Sequence, residues 1–352
     1  MISKTDYNIN EEIKFFNAVN LAFDGDYTKI RNNYQKSWQN TWEKISSNYV
    51  KIDPQKELER LTRLNISLIL KDAPEYPALL KEIAHPPFGL YVLGKINQEP
   101  KISIVGTRRA SDHGSKIAVQ LAQELINQEI TIVSGLALGI DEATHWGAVK
   151  SSGKTIAVLA RGLDEIYPYQ NKNLADKIIE EGGAIISEYP LGSPPYPARF
   201  LERNRIVSGL SLATIIVEAP ARSGALATAN FAINQNREVF VIPGSINNKN
   251  YVGSNNLIKS GATLMTEIED IFNNIPHLVK LPLSLAKNKN QKSSFFDADQ
   301  KLIFEALEKV NQAVTVDRIS ELVKLSPQTV NSSLSLLVIN NLVKEEGGRY
   351  YV

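Results

Sequence analysis

A cationic triplet near the middle of the chain is the first candidate for chemistry. Arg203, Asn204 and Arg205 stand together in "FLERNRIVSGLS", directly before a run of apolar and small residues. A planar guanidinium group presents N–H donors in a fork that matches two phosphate oxygens, and an asparagine amide can both donate and accept. The triplet therefore predicts a site for phosphate oxygens. The alternative is a structural ion pair between one of these arginines and an Asp or Glu.

Further cationic residues occupy loops of the same kind. Arg108 and Arg109 follow the apolar run "SIVG" and precede a helix that the pattern places near Ser111. A helix N-terminus offers free N–H groups and the positive end of the helix dipole, so a neighbouring arginine completes a phosphate clamp. Lys172 follows "YPYQN" at another predicted helix start. An aromatic residue beside a lysine is what a loop needs to stack a base and contact a phosphate. The alternative is a Pro-containing turn with ordinary surface residues.

Two small residues complete the candidate site. Ser223 and Gly224 begin an alanine-rich helix in "EAPARSGALATANFAI", where successive backbone N–H groups can form a nest for an anion. Close packing of that helix on the sheet is the alternative reason for small side chains. We see no nucleophile with a base beside it and no set of metal ligands, and the chain has no cysteine. The pattern predicts a site that binds phosphates, with no catalytic residue, metal or cofactor.

The elements that position these loops are short buried strands. The runs "ISIVG", "ITIVSG", "TIAVLA", "GAIIS", "ATIIVE" and "EVFVIPG" are rich in β-branched residues and lead into loops with Gly or Pro. Segments with helical spacing lie between most of them, which is typical of βαβ units and a parallel sheet. The carboxyl ends of such strands meet at one edge of the sheet, where ligands bind. The predicted fold is α/β: an extended Rossmann-like parallel sheet core, preceded by a small helical domain and followed by a winged-helix domain.

The domain boundaries follow from shifts in composition. Residues 1–75 are predicted as a helical N-terminal domain, SAM-like or a degenerate helix-hairpin-helix, and residues 76–275 as the Rossmann-like domain. Residues 276–296 are rich in Pro, Lys, Asn and Ser and predict a linker. Residues 297–352 predict three helices and a hairpin, as in a winged helix. The predicted recognition helix of this winged helix, "SPQTVNSSLSLLVINN", has no Lys or Arg. This favours contact with a protein over recognition of a DNA duplex.

Composition limits the classes of function. The chain has 352 residues and a formal net charge of +1, so a nucleic-acid surface must be a local patch rather than a global property. The N-terminus shows no apolar run after a basic start, and no stretch has the length of a membrane span. We therefore expect a cytoplasmic protein without membrane contact.

The motifs, taken in series, resemble the DNA-processing protein A family, DprA/Smf. The matching stretches include "VGTRRASDHG", "SGLALGIDEATHWGA", "GAIISEYPLGSPPYPARFLERNRIVSGLS" and "GSNNLIKSGA", and the resemblance spans roughly residues 72–271. It implies a Rossmann-like fold that binds single-stranded DNA without sequence preference, forms a homodimer and hands the strand to the RecA recombinase during natural transformation. It implies no catalytic activity. The family's phosphate-contacting positions fall on Arg108, Lys172, Arg203 and Arg205, with Ser223 and Gly224 nearby.

An enzyme is the alternative. Related Rossmann-like folds cleave nucleoside monophosphates at the glycosidic bond, with a glutamate near a glycine-rich phosphate loop. Glu218, at the end of "ATIIVE", is the candidate carboxylate, although "PARSGALAT" stands where a "PGGxGT" loop is expected. A structural hydrogen bond or ion pair is the other explanation for Glu218.

Overall fold

The computed structural model describes residues 4–275, 278, 298–310, 312–339 and 343–351. The chain divides into two compact units, Met1–Val279 and Lys280–Val352. The linker predicted at residues 276–296 lies outside the described residues except for Leu278.

A nine-stranded sheet forms the centre of the first unit. Its strands are β1 Ile66–Leu70, β2 Gly89–Gly94, β3 Lys101–Val105, β4 Thr131–Ser134, β5 Thr155–Val158, β6 Ala184–Ser187, β7 Ala213–Ile216, β8 Glu238–Val241 and β9 Thr263–Leu264. The order is β1-β2-β6-β5-β4-β3-β7-β8-β9, and β3 to β9 run parallel to their neighbours within that group. The six apolar runs of the sequence are β3 to β8, so the predicted parallel sheet is confirmed.

Helices cover both faces of this sheet. They are α1 Lys4–Ala22, α2 Tyr27–Asn33, α3 Trp38–Ile45, α4 Pro54–Arg63, α5 Ala78–Lys81, α6 Asp112–Asn127, α7 Ile140–Lys150, α8 Lys172–Glu180, α9 Pro197–Gly209, α10 Gly224–Asn234, α11 Val252–Lys259 and α12 Glu269–Asn274. Side chains alternate across β3: Ile102 and Ile104 pack in the core shared with α6, whereas Val105 packs in the core shared with α9 and α10. This alternation puts α6 and α9 on opposite faces and leaves the strand ends open for the site.

The N-terminal helices belong to the same compact unit as the sheet. The boundary predicted at residue 75 does not separate two units, because β1 lies before it and pairs antiparallel with β2, which pairs antiparallel with β6. Helix α1 is tied to β2 by side-chain hydrogen bonds. The hydroxyl of Tyr91 donates to Asn17 at 2.8 Å and accepts from the amide of Asn20 at 3.1 Å. All three side chains are buried, so the helices complete the core of the sheet's edge.

The second unit has its own small core. It contains α13 Ala298–Val310, α14 Val316–Val323 and α15 Pro327–Ile339, with strands β10 Val314–Thr315, β11 Lys344–Glu346 and β12 Arg349–Tyr351. The antiparallel order is β10-β12-β11, and the turn of the terminal hairpin has Gly347 and Gly348 at φ 58° and 75°, which glycine adopts without strain. The three helices and the hairpin agree with the sequence, and the winged-helix assignment stays a prediction. No helix in the described ranges is long and apolar enough to cross a bilayer.

Candidate functional site

The strand order creates a crevice between β3 and β7. From β3 the chain winds through β4, β5 and β6 towards one edge, and from β7 it winds through β8 and β9 towards the other. At such a switch point the loops leave the sheet in opposite directions and open a ligand crevice. A cavity of about 570 Å³ lies there, lined by the loops after β3, β4 and β7 and by α9. We call it the switch-point cleft.

Three exposed arginines line the switch-point cleft. Arg108 and Arg109 come from the loop after β3, as the sequence predicts, and Arg222 comes from the loop after β7. Among the described residues none of the three has an ion-pair partner, so their guanidinium charges are uncompensated at the cleft. Sequence reasoning missed Arg222, although its position directly before Ser223 was the available signal.

Arg203 forms the floor of the cleft. It lines the cavity but is only 4% exposed, and its Nη1 donates to the carbonyl oxygen of Gly135 at 2.6 Å and to that of Val158. Burial lowers the pKa of Arg203 to about 10 despite the neighbouring carboxylate of Asp141. Arg203 therefore stays charged at neutral pH and adds positive potential to the cleft, while Nη1 is engaged by the ends of β4 and β5.

Arg205 lies away from the cleft. Its two Nη atoms donate to the two carboxylate oxygens of Glu188, each at 2.6 Å, and its Nε donates to the carbonyl oxygen of His85 at 3.0 Å. Burial alone lowers the pKa of Arg205, but Glu188 outweighs it and the pKa rises overall. Residues two apart on a helix point roughly 200° from each other, so Arg203 and Arg205 on α9 cannot both face one cleft. Arg205 therefore forms an ion pair with Glu188, which was the alternative to a phosphate contact.

Asn204, Ser223 and Gly224 join α9 to the start of α10. The Asn204 amide donates to the carbonyl oxygen of Gly224 at 3.2 Å, and the Ser223 hydroxyl accepts from the N–H of Ala225 at 3.2 Å. A Cβ added at Gly224 would meet no described atom within 4 Å. Gly224 lines the cavity, so the open space in front of it belongs to the cleft.

Lys172 stands beside a second cavity rather than in the cleft. It is exposed at the start of α8, and its Nζ lies 2.9 Å from a carboxylate oxygen of Asp176. The second cavity is about 610 Å³ and is also lined by Tyr169. Tyr167 lines both cavities, so the loop after β5 separates Lys172 from the three arginines.

Glu218 is part of the support for α6. Its buried carboxylate accepts from the N–H of Ser111 at 2.9 Å, from the hydroxyl of Ser111 and from the amide of Asn250 at 3.3 Å. Ser111 is the N-cap of α6. Glu218 does not line the cleft. Its carboxylate oxygens hold Ser111 in place, so Glu218 has the structural hydrogen-bonding role that was the alternative to a catalytic one.

His145, on α7 beside the cleft, is a packed residue. His145 is fully buried, its Nδ1 lies 2.8 Å from the hydroxyl of Thr155, and burial lowers its pKa to about 3, so the ring is neutral. Within the described ranges no group of three or more His, Cys, Asp or Glu side chains is arranged to hold a metal ion.

Fold and site together define a Rossmann-like α/β protein with a cationic crevice at the switch point. A model of the DNA recombination-mediator protein A family matches residues 67–276. Protein Smf of Escherichia coli is 37% identical over 307 residues, which cover 84% of this chain and 81% of that protein. Protein Smf of Synechocystis is 44% identical over 229 residues, which cover 63% of this chain and 57% of the relative's length. The chain belongs to the DNA recombination-mediator protein A family, which confirms the resemblance seen in the motifs.

Solved structures agree with this assignment. The X-ray structure of DNA processing protein A from Streptococcus pneumoniae superposes with a TM-score of 0.60 and 34% identity, covering 74% of this chain and 92% of that one. DNA processing protein A from Helicobacter pylori, whose structure describes a single-stranded DNA binding mode, gives a TM-score of 0.54 and 31% identity over 60% of this chain and 96% of that one.

Proposed function

We propose that this chain binds single-stranded DNA through the phosphate backbone, without reading its sequence, as part of DNA processing. The observation that carries the proposal is the switch-point cleft, where Arg108, Arg109 and Arg222 are exposed above the buried charge of Arg203. Guanidinium groups and phosphate oxygens form strong charge-assisted hydrogen bonds. The single-stranded DNA binding mode described for the Helicobacter pylori protein supports the same ligand.

The lining of the cleft favours a single strand over a duplex. Phe200 and Tyr167 are aromatic residues in the lining of the cleft, together with the arginines. Any unpaired base can stack on an aromatic face, which strengthens binding with little sequence preference. In a duplex the bases are already stacked on each other, so only the phosphate contacts remain.

A titration of fluorescein-labelled oligothymidine, monitored by anisotropy, tests the proposal. A duplex of the same length is the comparison, and both are titrated at two salt concentrations. We expect selective binding of the single strand, with log K falling by about 0.7 per contacted phosphate for each unit of log salt, or roughly 2 for three contacts. Equal affinity for the duplex, or an affinity that does not change with salt concentration, would contradict recognition of a single strand through its backbone.

Gly224 provides a sharper probe of the cleft. Gly224→Ala is expected to leave the fold intact and to raise stability by about 0.4–1 kcal/mol, because alanine reduces the conformational entropy of the unfolded chain at a position whose backbone it can adopt. The added methyl group would extend into the open space in front of α10, so we expect several-fold weaker strand binding. Chemical denaturation and the anisotropy titration measure the two effects. Unchanged affinity in the stabilised variant would show that the strand does not approach α10.

We infer that the chain is a binding protein rather than a nucleotide-cleaving enzyme. Glu218 is engaged by Ser111 and Asn250, so Glu218→Gln should cost about 1–3 kcal/mol of stability by placing an amide donor against donors. Chromatography of nucleoside monophosphates incubated with the wild-type chain should show no free base. Base release that Glu218→Gln abolishes, in protein shown to be folded, would establish the enzyme instead.

The resemblance of the motifs extends the proposal to two partners. We propose a homodimer that passes its bound strand to the RecA recombinase during natural transformation. Light scattering during gel filtration measures the mass of the assembly. The rate at which recombinase filaments start on a coated strand, with and without this chain, tests the transfer. A monomer at all concentrations would contradict the homodimer. An unchanged rate of filament formation would contradict the transfer of the strand.

A further inference from the structure

We propose that the open edge of strand β1 binds an extended, lysine- or arginine-rich segment of a partner protein, which joins the sheet as a further strand. A cavity of about 720 Å³ lies along this edge, lined by residues 68–75 and by side chains of α1 and α3. We call it the edge groove. It shares no lining residue with the switch-point cleft, so the inference does not rest on the proposed function.

Backbone groups of β1 face away from the rest of the sheet. Within the described residues β1 is the last strand and pairs only with β2. The N–H of Lys71 donates to the carbonyl oxygen of Phe88 at 2.9 Å, which continues the register of that pair. Hydrogen-bonded positions alternate along an antiparallel strand, so Ile69 also bonds to β2, whereas Leu68 and Leu70 turn their N–H groups outward. Neither of these two N–H groups has a partner in the part of the chain that the structure describes.

The edge groove follows these outward backbone groups. Leu68, Ile69 and Leu70 all line it, although successive side chains of a strand point to opposite faces of the sheet. A cavity that touches three successive residues therefore runs along the edge of the strand. An extended peptide can add to such an edge, where its main chain supplies hydrogen bonds and its alternate side chains enter pockets.

Aromatic side chains form the floor of the edge groove. Trp38 is 8% exposed, and its ring centre lies 4.7 Å from that of Tyr34 and 5.6 Å from that of Phe88. All three residues line the groove. This surface suits the apolar side chains on one face of an added strand, such as valine or isoleucine.

The charge of the edge groove selects a basic partner. Glu12, Asp72 and Glu75 line it, against the single cation of Lys71. None of the three carboxylates has an ion-pair partner among the described residues. Burial raises the pKa of Tyr34, and the charges of Glu12 and Asp72 raise it further, so these two carboxylates act on the same hydroxyl group. Such a surface attracts lysine and arginine and repels a phosphate backbone, which makes DNA the wrong ligand here.

A labelled peptide tests the charge of the groove. The probe is a fluorescein-labelled heptapeptide of alternating lysine and valine, titrated with the full chain and followed by anisotropy; the comparison peptide has glutamate in place of lysine. We expect only the lysine peptide to bind, with an affinity that falls as salt rises. Asp72→Asn/Glu75→Gln should weaken this binding about fivefold, in the range of two exposed ion pairs.

A matched control separates the groove from net charge. Glu238 and Glu267 are exposed and do not line the groove, so Glu238→Gln/Glu267→Gln removes the same charge elsewhere and should bind within about twofold of the wild type. Absence of binding by the lysine peptide, or equal losses in the two double variants, would overturn the proposal.

Backbone methylation of the probe tests the addition of a strand. Only alternate N–H groups of a paired strand face its neighbour, so methylating the amides of one residue type should abolish binding and methylating those of the other should leave it intact. Hydrogen exchange should show the amide protons of Leu68 and Leu70 gaining protection when the unmethylated peptide binds. Equal effects of the two methylated sets would overturn the proposal. Protection that is present in the free chain and increases with its concentration would assign the edge to a second copy instead.

Discussion

Replacing Arg108 and Arg222 together with alanine is expected to weaken single-strand binding on the order of 100-fold at about 0.1 M salt. Each arginine can make charge-assisted hydrogen bonds to a phosphate, and each such contact contributes roughly tenfold in affinity. The dependence of log K on log salt should become shallower by about 1.4, or 0.7 for each lost phosphate contact. Anisotropy titrations at four salt concentrations measure both the loss of affinity and the change in its salt dependence.

A matched control separates the cleft from overall charge. Arg31 and Arg63 are exposed on α2 and α4 and do not line the cleft, so Arg31→Ala/Arg63→Ala removes the same charge elsewhere. We expect this control to bind within about twofold of the wild type, because exposed charges beyond a Debye length are largely screened. Equal losses in the two double variants would show that the strand responds to net charge and not to the cleft.

Replacing Arg205 with methionine is expected to destabilise the fold by about 3–5 kcal/mol. The variant leaves the Glu188 carboxylate buried without its partner, which is among the costliest changes to a protein interior. In the wild type both carboxylate oxygens receive a 2.6 Å bond from the Arg205 guanidinium. Urea unfolding followed by circular dichroism measures the loss. Protein that remains folded should bind oligothymidine with near-normal affinity, because Arg205 does not line the cleft.

A compensating variant distinguishes the ion pair from a phosphate contact. Arg205→Met/Glu188→Leu replaces both charges with apolar groups and should recover most of the lost stability. Wild-type stability in Arg205→Met, accompanied by loss of strand binding, would instead assign Arg205 to the strand.

The sheet was predictable from sequence because its signal is local. Short β-branched runs such as "ATIIVE" are buried on both faces, and this pattern is typical of a parallel strand in any context. The carboxyl-edge loops with Arg108 and Ser223 followed from that pattern. The edge strand β1 (Ile66–Leu70) was assigned to a separate helical domain, because its pairing with β2 is a tertiary contact that composition does not encode.

The different roles of Arg203 and Arg205 could not be predicted from the sequence. Arg203 and Arg205 are equivalent as residue types, and only the turn of α9 sends one to the cleft floor and the other to Glu188. Glu188 lies 17 residues before Arg205, directly after β6, and only the packing of α9 against the end of that strand brings the two together. Arg222 could not be assigned from sequence because a single arginine in a loop has the same pattern whether it lines a cleft or an ordinary surface; the fold places it at the cleft.

The most direct test of the cleft is a crystal structure of this chain with an oligothymidine. We predict a backbone phosphate about 3 Å from guanidinium nitrogens of Arg108 and Arg222, in the crevice between β3 and β7. A strand bound elsewhere, on the N-terminal helices or the C-terminal unit, with no phosphate at these arginines, would contradict the account.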